Sequence, residues 1–175
     1  MAKEEFTDAI MLLKADHRKV EELFEKFESA SGKNARLKIV EQVCLELKIH
    51  AQIEEELFYP AFRGKIEDDI LDEAHVEHDG AKVLINDLLA NGANDEYLDA
   101  KVTVLSEEIA HHVGEEEKPK EGMFAQCRQT DVDLVELRDR LMARKQELLE
   151  QAKAGGLPPA ELAAIDISAT MPPAS

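Results

Sequence analysis

The chain has 175 residues, 44% of them apolar and 5% aromatic with no Trp, and 38 acidic against 21 basic side chains leave a formal net charge of −17. That length gives one domain with a sizeable core, and the negative balance argues against binding nucleic acid or an anionic membrane surface. Apolar runs are only a few residues long, too short to span a bilayer. Met1 to Phe6 lacks the apolar centre of a signal peptide, so a cytoplasmic protein with two free thiols, Cys44 and Cys127, is expected.

The pattern along the chain is helical. A first helix starts near Thr7 or Asp8, either a suitable N-cap, and its inner face reads Ile10, Leu13, His17, Val20, Phe24, Phe27 in steps of three and four. Ser29 to Gly32 breaks it. A second helix runs from about Asn34 to Tyr59 with Val40, Val43, Leu47, His50, Glu54, Leu57 and Ala61 on one side, and Pro60 with Gly64 ends it. A third begins between Ile66 and Asp69 and turns Leu71, Ala74, His78, Ala81, Ile85 and Leu88 inward, with His75 at the edge of the stripe. After the turn at Asn91 to Asn94, with Asn94 or Asp95 as cap, a fourth helix faces inward with Val102, Leu105, Ile109, His112 and Glu116. Projecting the same spacing from His111 and Glu115 meets Glu108, a poorer seam, so His112 and Glu116 are the inward pair. Pro119 and Gly122 close this helix.

Met123 to Gln129 reads as a turn of helix. A charged fifth helix, about Asp131 to Lys153, carries Leu134, Leu137, Leu141 and Leu148 on one edge and lies across the outside of the bundle. Gly155-Gly156 stops it. The proline-rich tail is expected to be disordered. The organisation predicted is all-α: an up-down-up-down antiparallel four-helix bundle over residues 1–130, an appended helix over 131–154 and a tail over 155–175.

The chemistry lies in the seams. The chain has six histidines, and His17, His50, His78 and His112 fall on the inner faces of four different helices. Glu54 and Glu116 each follow a seam histidine by four residues, on the same face. A lone histidine on an apolar face is most often a hydrogen-bonded core residue. Four converging histidines with two buried carboxylates need a cation, because an unpaired buried carboxylate is very costly. Of each Glu run, Glu54–Glu56 and Glu115–Glu117, one member faces inward and the others are solvated. Imidazole and carboxylate without thiolate suit iron, zinc or manganese. The ligands are too many for one tetrahedral zinc and suit two metals bridged by the glutamates, with iron as the preferred occupant and zinc the alternative. HExxH, GxGxxG, the phosphate-loop pattern and Gly-x-Ser-x-Gly are absent, and the one ExxH in the bundle helices, Glu108 to His111, faces outward.

His50-xxx-Glu54-Glu55-Glu56-Leu57-Phe58-Tyr59-Pro60, Glu77-His78, His112-xxx-Glu116-Glu117 and Asp16-His17 together resemble the bacterial hemerythrin-like, HHE cation-binding domains over residues 7 to 128. The resemblance implies a four-helix bundle holding two iron ions with an oxo or hydroxo bridge. His17, His50, Glu54, His78, His112 and Glu116 then stand at the ligand positions. The family's oxygen carriers place two histidines four apart on the third helix. Here Ala74 occupies the position four before His78, and His75, three before it, is a possible extra ligand or an outer group. The carriers also use an aspartate five after the fourth-helix histidine, whereas Glu116 is four after His112. The bacterial branch is thus the nearer likeness, with O2, NO or peroxide as ligands and no catalytic residue outside the metal shell. Leu13, Val20, Leu47, Ile85 and Ile109 would limit water access. A peroxide- or NO-consuming stress-defence enzyme, an iron store, and a metal-stabilised module acting on a protein partner in trans are the competing readings. Tyr59 and Tyr97 are candidates for redox chemistry, against the more usual reading of a helix-end tyrosine as amphipathic packing.

Overall fold

In a computed structural model, residues 6–170 are described, and their regular elements are all helices, with no strand among them. Helix α1 spans Ala9–Ser29 and is capped by Asp8, whose side chain accepts from Met11 N at 2.9 Å, offsetting one of the unpaired amides every helix start leaves. Helix α2 spans Lys33–Ile53, followed by a π turn, Glu54–Phe58, and the short α3, Tyr59–Phe62. Helices α4, Asp68–Asn91, and α5, Leu98–Glu117, complete the bundle. Short connections make consecutive long helices antiparallel, and contacts run from α1 to α2, α2 to α4, α4 to α5 and α5 back to α1. No described helix is long and apolar enough to cross a membrane.

Two apolar cores fill the bundle. One holds Val20, Phe24, Phe27, Val43, Leu47, Ile85, Leu88 and Leu105. The other holds Ile10, Leu13, Ile53, Phe58, Phe62, Leu71 and Phe124. Each such side chain contributes roughly 1.5–3 kcal/mol on burial. His17, His50, His78 and His112, buried like the apolar residues around them, form a polar layer between the two cores.

The second helix does not end where the sequence suggests. Pro60 lacks an N–H and its ring would strike the carbonyl four residues back. The helix widens instead, and Tyr59 N–H bonds to the carbonyl of Glu54, five residues back. The inserted residue rotates everything beyond it. Phe58, Tyr59 and Phe62 turn fully inward, while Leu57 and Ala61, expected on the seam, are only half-buried. The fourth bundle helix also starts later than expected, at Leu98: Gly92–Asn94 forms a 3-10 turn, and Asp95 accepts from Tyr97 N at 2.9 Å rather than capping the helix itself.

Beyond the bundle, α6, Met123–Cys127, and α7, Leu134–Gly155, follow. Helix α7 packs Leu137, Leu141 and Leu148 onto the second core beside α1, α2 and the π turn. The expected disordered tail departs from the structure in its described part. Residues 157–165 form an extended strap over α2 and α4. Asp79, fully buried, accepts backbone N–H groups from Ala163, Ala164 and Ile165 at 2.8, 2.6 and 2.7 Å. Asn86 exchanges two hydrogen bonds with Ala160, and Lys48 donates to Pro158 O at 2.6 Å. Residues 171–175 lie outside the described part.

Candidate metal centre

Each seam histidine is held from behind by a carboxylate. The Nδ1 of His17 lies 2.7 Å from Glu117, that of His50 3.3 Å from Asp16, that of His78 2.9 Å from Glu55 and that of His112 2.6 Å from Glu77. A carboxylate can only accept, so each Nδ1 carries its proton outward, and in the neutral ring each Nε2 points its lone pair into the bundle. Two of these acids correct the sequence reading. Glu55 and Glu117, expected to be solvated, instead orient His78 and His17, while Glu56 pairs with Arg144 of α7 at 2.7 Å.

The Nε2 atoms meet in pairs, His17 with His50 and His78 with His112, each pair 3.1 Å apart. Two lone pairs at that distance repel unless a proton or a metal ion lies between them. Nitrogens about 2.1 Å from one ion and at right angles to each other are about 3.0 Å apart. Glu54 reaches both pairs, with Oε1 3.2 Å from His50 and Oε2 3.3 Å from His78. Glu116 does the same, with Oε2 3.3 Å from His17 and Oε1 3.5 Å from His112. Glu54 Oε1 and Glu116 Oε2 are buried without a hydrogen-bond partner among the described residues. Orphaned carboxylate oxygens of this kind are very costly unless a cation satisfies them. His17, His50, Glu54 and Glu116 form one group whose donor atoms lie within 4.8 Å of one another, and Glu54, His78 and His112 form a second. The donor set therefore fits two cations sharing two carboxylates.

The π turn brings in a residue that the sequence reading placed at a helix end. Tyr59 Oη lies 3.1 Å from Glu54 Oε2, 3.1 Å from Glu116 Oε1 and 3.2 Å from His78 Nε2. A phenol has one proton to give, so one of these three contacts is a donated hydrogen bond. The signal was present in the spacing of Phe58, Tyr59 and Phe62, which fits an inward face only if one residue is inserted before Pro60. His75 falls outside both groups. Its ring packs edge-on against Tyr59 at 5.2 Å, and its Nδ1 has no hydrogen-bond partner among the described residues. His111 is exposed and reaches Glu77 at 3.3 Å. Tyr97 is exposed.

Protons answer to the same charges. Burial opposes ionisation of His50, but the charge of Glu54 and the hydrogen bond to Asp16 raise its pKa well above the usual value. His78 is raised to about 9 against burial, by hydrogen bonds to Glu54 and Glu55. His17 is raised against burial by Glu116 and Glu117. Glu54 overcomes its own burial through the charge of His50 and stays well below the carboxylate range. Burial, then the charges of Glu116 and Glu54, push the Tyr59 phenol well upward. Without metal, these raised values favour protons on His50, His78 and His17 beside the carboxylates. Burial also raises both thiols, Cys44 to about 12, so neither offers a thiolate at neutral pH.

A cavity of about 30 Å³ adjoins the four histidines, enough for one or two small molecules. Apart from the histidines its wall is largely apolar, with Val20, Leu47, Ala81, Ile85, Ile109 and Val113. Phe124 of α6 stacks on the His17 ring at 5.8 Å. Helix α6 can lie this close because Gly122 has no side chain: a Cβ there would stand 2.6 Å from Lys118 O and 2.8 Å from Glu115 O.

Fold and site together define a helical bundle with a buried layer of histidines and carboxylates compatible with metal binding. The model of the Hemerythrin HHE cation binding domain matches residues 8–120, and the chain belongs to that family. The fold is similar to the crystal structure of a hemerythrin HHE cation binding domain-containing protein from Mycobacterium kansasii. The TM-score is 0.69 at 22% identity, covering 87% of this chain and 96% of that one. Comparison with curated proteins finds no match.

Proposed function

We propose that the chain holds two iron ions and binds a small ligand, O2, NO or peroxide, in the apolar cavity beside them. His17 and His50 would hold one ion, His78 and His112 the other, with Glu54 and Glu116 bridging and the Tyr59 oxygen on the His78 side. The observation that carries this reading is the facing of the Nε2 pairs at 3.1 Å while every Nδ1 is committed to a carboxylate. Imidazole, carboxylate and phenol oxygen with no thiolate favour iron over copper(I) or an iron–sulfur cluster. Bound iron supplies reversible one-electron chemistry and a coordination position open to a small ligand.

The protein's own groups prepare that position. Asp16, Glu55, Glu77 and Glu117 fix the imidazole tautomers and rings. The apolar wall keeps bulk water out and admits a small, weakly hydrated ligand. Tyr59 Oη, between two carboxylates and an imidazole, can hold or give one proton at the site, or bind as phenolate once a cation offsets the charges that now raise its pKa. His75 is an outer group that packs the Tyr59 ring.

The test is an optical spectrum of the reduced, iron-loaded protein before and after exposure to air. A change that reverses on removing O2 supports ligand binding. An irreversible change supports iron oxidation and storage, and stoichiometric zinc with no spectral change contradicts the proposal. The buried phenol beside the carboxylates favours a second reading, a peroxide-consuming protein, which sustained turnover by the iron form would establish.

A further inference from the structure

Each carboxylate behind a seam histidine meets a second polar partner. Arg18 holds Glu117 at 2.7 Å, Lys82 holds Glu55 at 2.8 Å and the His111 ring lies 3.3 Å from Glu77. These three come from bundle helices and stand close in sequence to the histidine they serve. The fourth does not. Asp16, behind His50, is paired with Lys145 of α7, which lies beyond the 8–120 stretch that defines the family. Asp16 is nearly buried, with 8% of its side chain exposed, and Lys145 approaches it from a more open position at 20%. One Asp16 oxygen takes Lys145 and the other faces His50 Nδ1. Two anchors set the lysine's position: Leu141 and Leu148, on the same face of α7, are buried in the second core.

We propose that Lys145 is a positioning residue of the metal centre: through Asp16 it fixes the ring of His50 and limits how strongly that imidazole donates to its ion. The proposal rests on the two-iron reading above. A carboxylate shared between an ammonium and an imidazole pulls less on the imidazole proton than one left alone. Removing the lysine charge lets Asp16 polarise His50 more, making it a stronger donor. It also takes one positive charge away from the ions. Both effects favour the more oxidised, more positive pair, so they act in the same direction. Helix α7 is on this account part of the site rather than an appendage.

The experiment uses the full-length iron-loaded chain and its Lys145→Met, Lys145→Arg and Asp16→Asn variants, with Lys145→Gln replacing the Met variant if that does not fold. Metal content is measured first, then the midpoint potential by spectroelectrochemical titration. Lys145→Met should keep its iron and show a lower potential, and Lys145→Arg should restore it. In an Asp16→Asn background the lysine change should shift the potential much less, because only the direct loss of charge remains once Asp16 no longer relays the effect. An unchanged potential with only a lowered melting temperature would make Lys145 a packing residue. An undiminished shift in the Asp16→Asn background would place the effect elsewhere. A wild-type chain that takes up no iron pair overturns the two-iron reading and this inference with it, and it shows in metal content before any potential is read.

Discussion

If protons occupy the centre when metal does not, pH should control loading steeply. A metal ion needs the Nε2 lone pair, so the proton on His78 must leave first. With that pKa at about 9, loading at pH 7 costs about 100-fold in apparent affinity, or about 3 kcal/mol, for this histidine alone. His50 and His17 are raised as well, so up to three imidazole protons are displaced. Each adds about a tenfold gain in affinity per pH unit below its pKa. The sign for folding is opposite. His78 is raised in the folded chain, so its contribution to the stability of the metal-free protein is complete below 6.5 and is lost as pH rises through about 9. The metal-free protein should therefore weaken over the window in which metal affinity climbs. Competition of zinc or cobalt between the protein and a chromophoric chelator, repeated across that window, gives the slope. Calorimetry in two buffers of different ionisation enthalpy counts the protons. A slope of less than one proton per site, or a metal-free protein that gains stability toward pH 9, would refute the account of His78.

Other outcomes follow from single contacts. Tyr59→Phe removes the hydroxyl between two buried carboxylates and should destabilise the metal-free chain by roughly 1–3 kcal/mol. In the iron form it should abolish visible phenolate-to-iron absorption at unchanged metal content, and retention of that absorption would exclude Tyr59 as a ligand. Asp79→Ala strips three backbone N–H groups of their acceptor. Because the strap can detach alone, amide exchange over residues 160–165 should become fast while stability falls by no more than roughly 1–3 kcal/mol. Unchanged protection would mean that Asp79 does not anchor the strap. Gly122→Ala drives a methyl into the backbone of Lys118 and Glu115. That strain should cost roughly 1–3 kcal/mol, lowering Tm by several degrees and loosening Phe124 over His17, and an unchanged melt would show that α6 is not tightly seated.

The bundle was legible because its cue is periodic. Seam positions on α1 and α4, from Ile10 to Phe27 and from Leu71 to Leu88, are buried as the three-and-four spacing requires. The same spacing separated His112 and Glu116 from their exposed neighbours His111 and Glu115. What escaped lies where periodicity is interrupted or was never the cause. Pro60 reads as a stop, yet a π turn absorbs it and carries Tyr59 into the site. Glu55 and Glu117 sit beside inward glutamates on a charged face, and nothing in the one-dimensional pattern shows that an imidazole from another helix will reach them. The strap is bound through its own backbone amides, which carry no residue signature, to an aspartate one position after His78. Lys145 looks like any solvated lysine until α7 is laid against α1.

The central claim is that two ions, bridged by Glu54 and Glu116, occupy this layer. Anomalous diffraction at the iron edge from crystals of the aerobically purified protein tests it most directly, alongside metal analysis of the same sample. The account predicts two iron peaks about 3.5–4 Å apart, one against His17 and His50 and the other against His78 and His112. A single peak, or one zinc ion bound by a subset of these side chains, would contradict it.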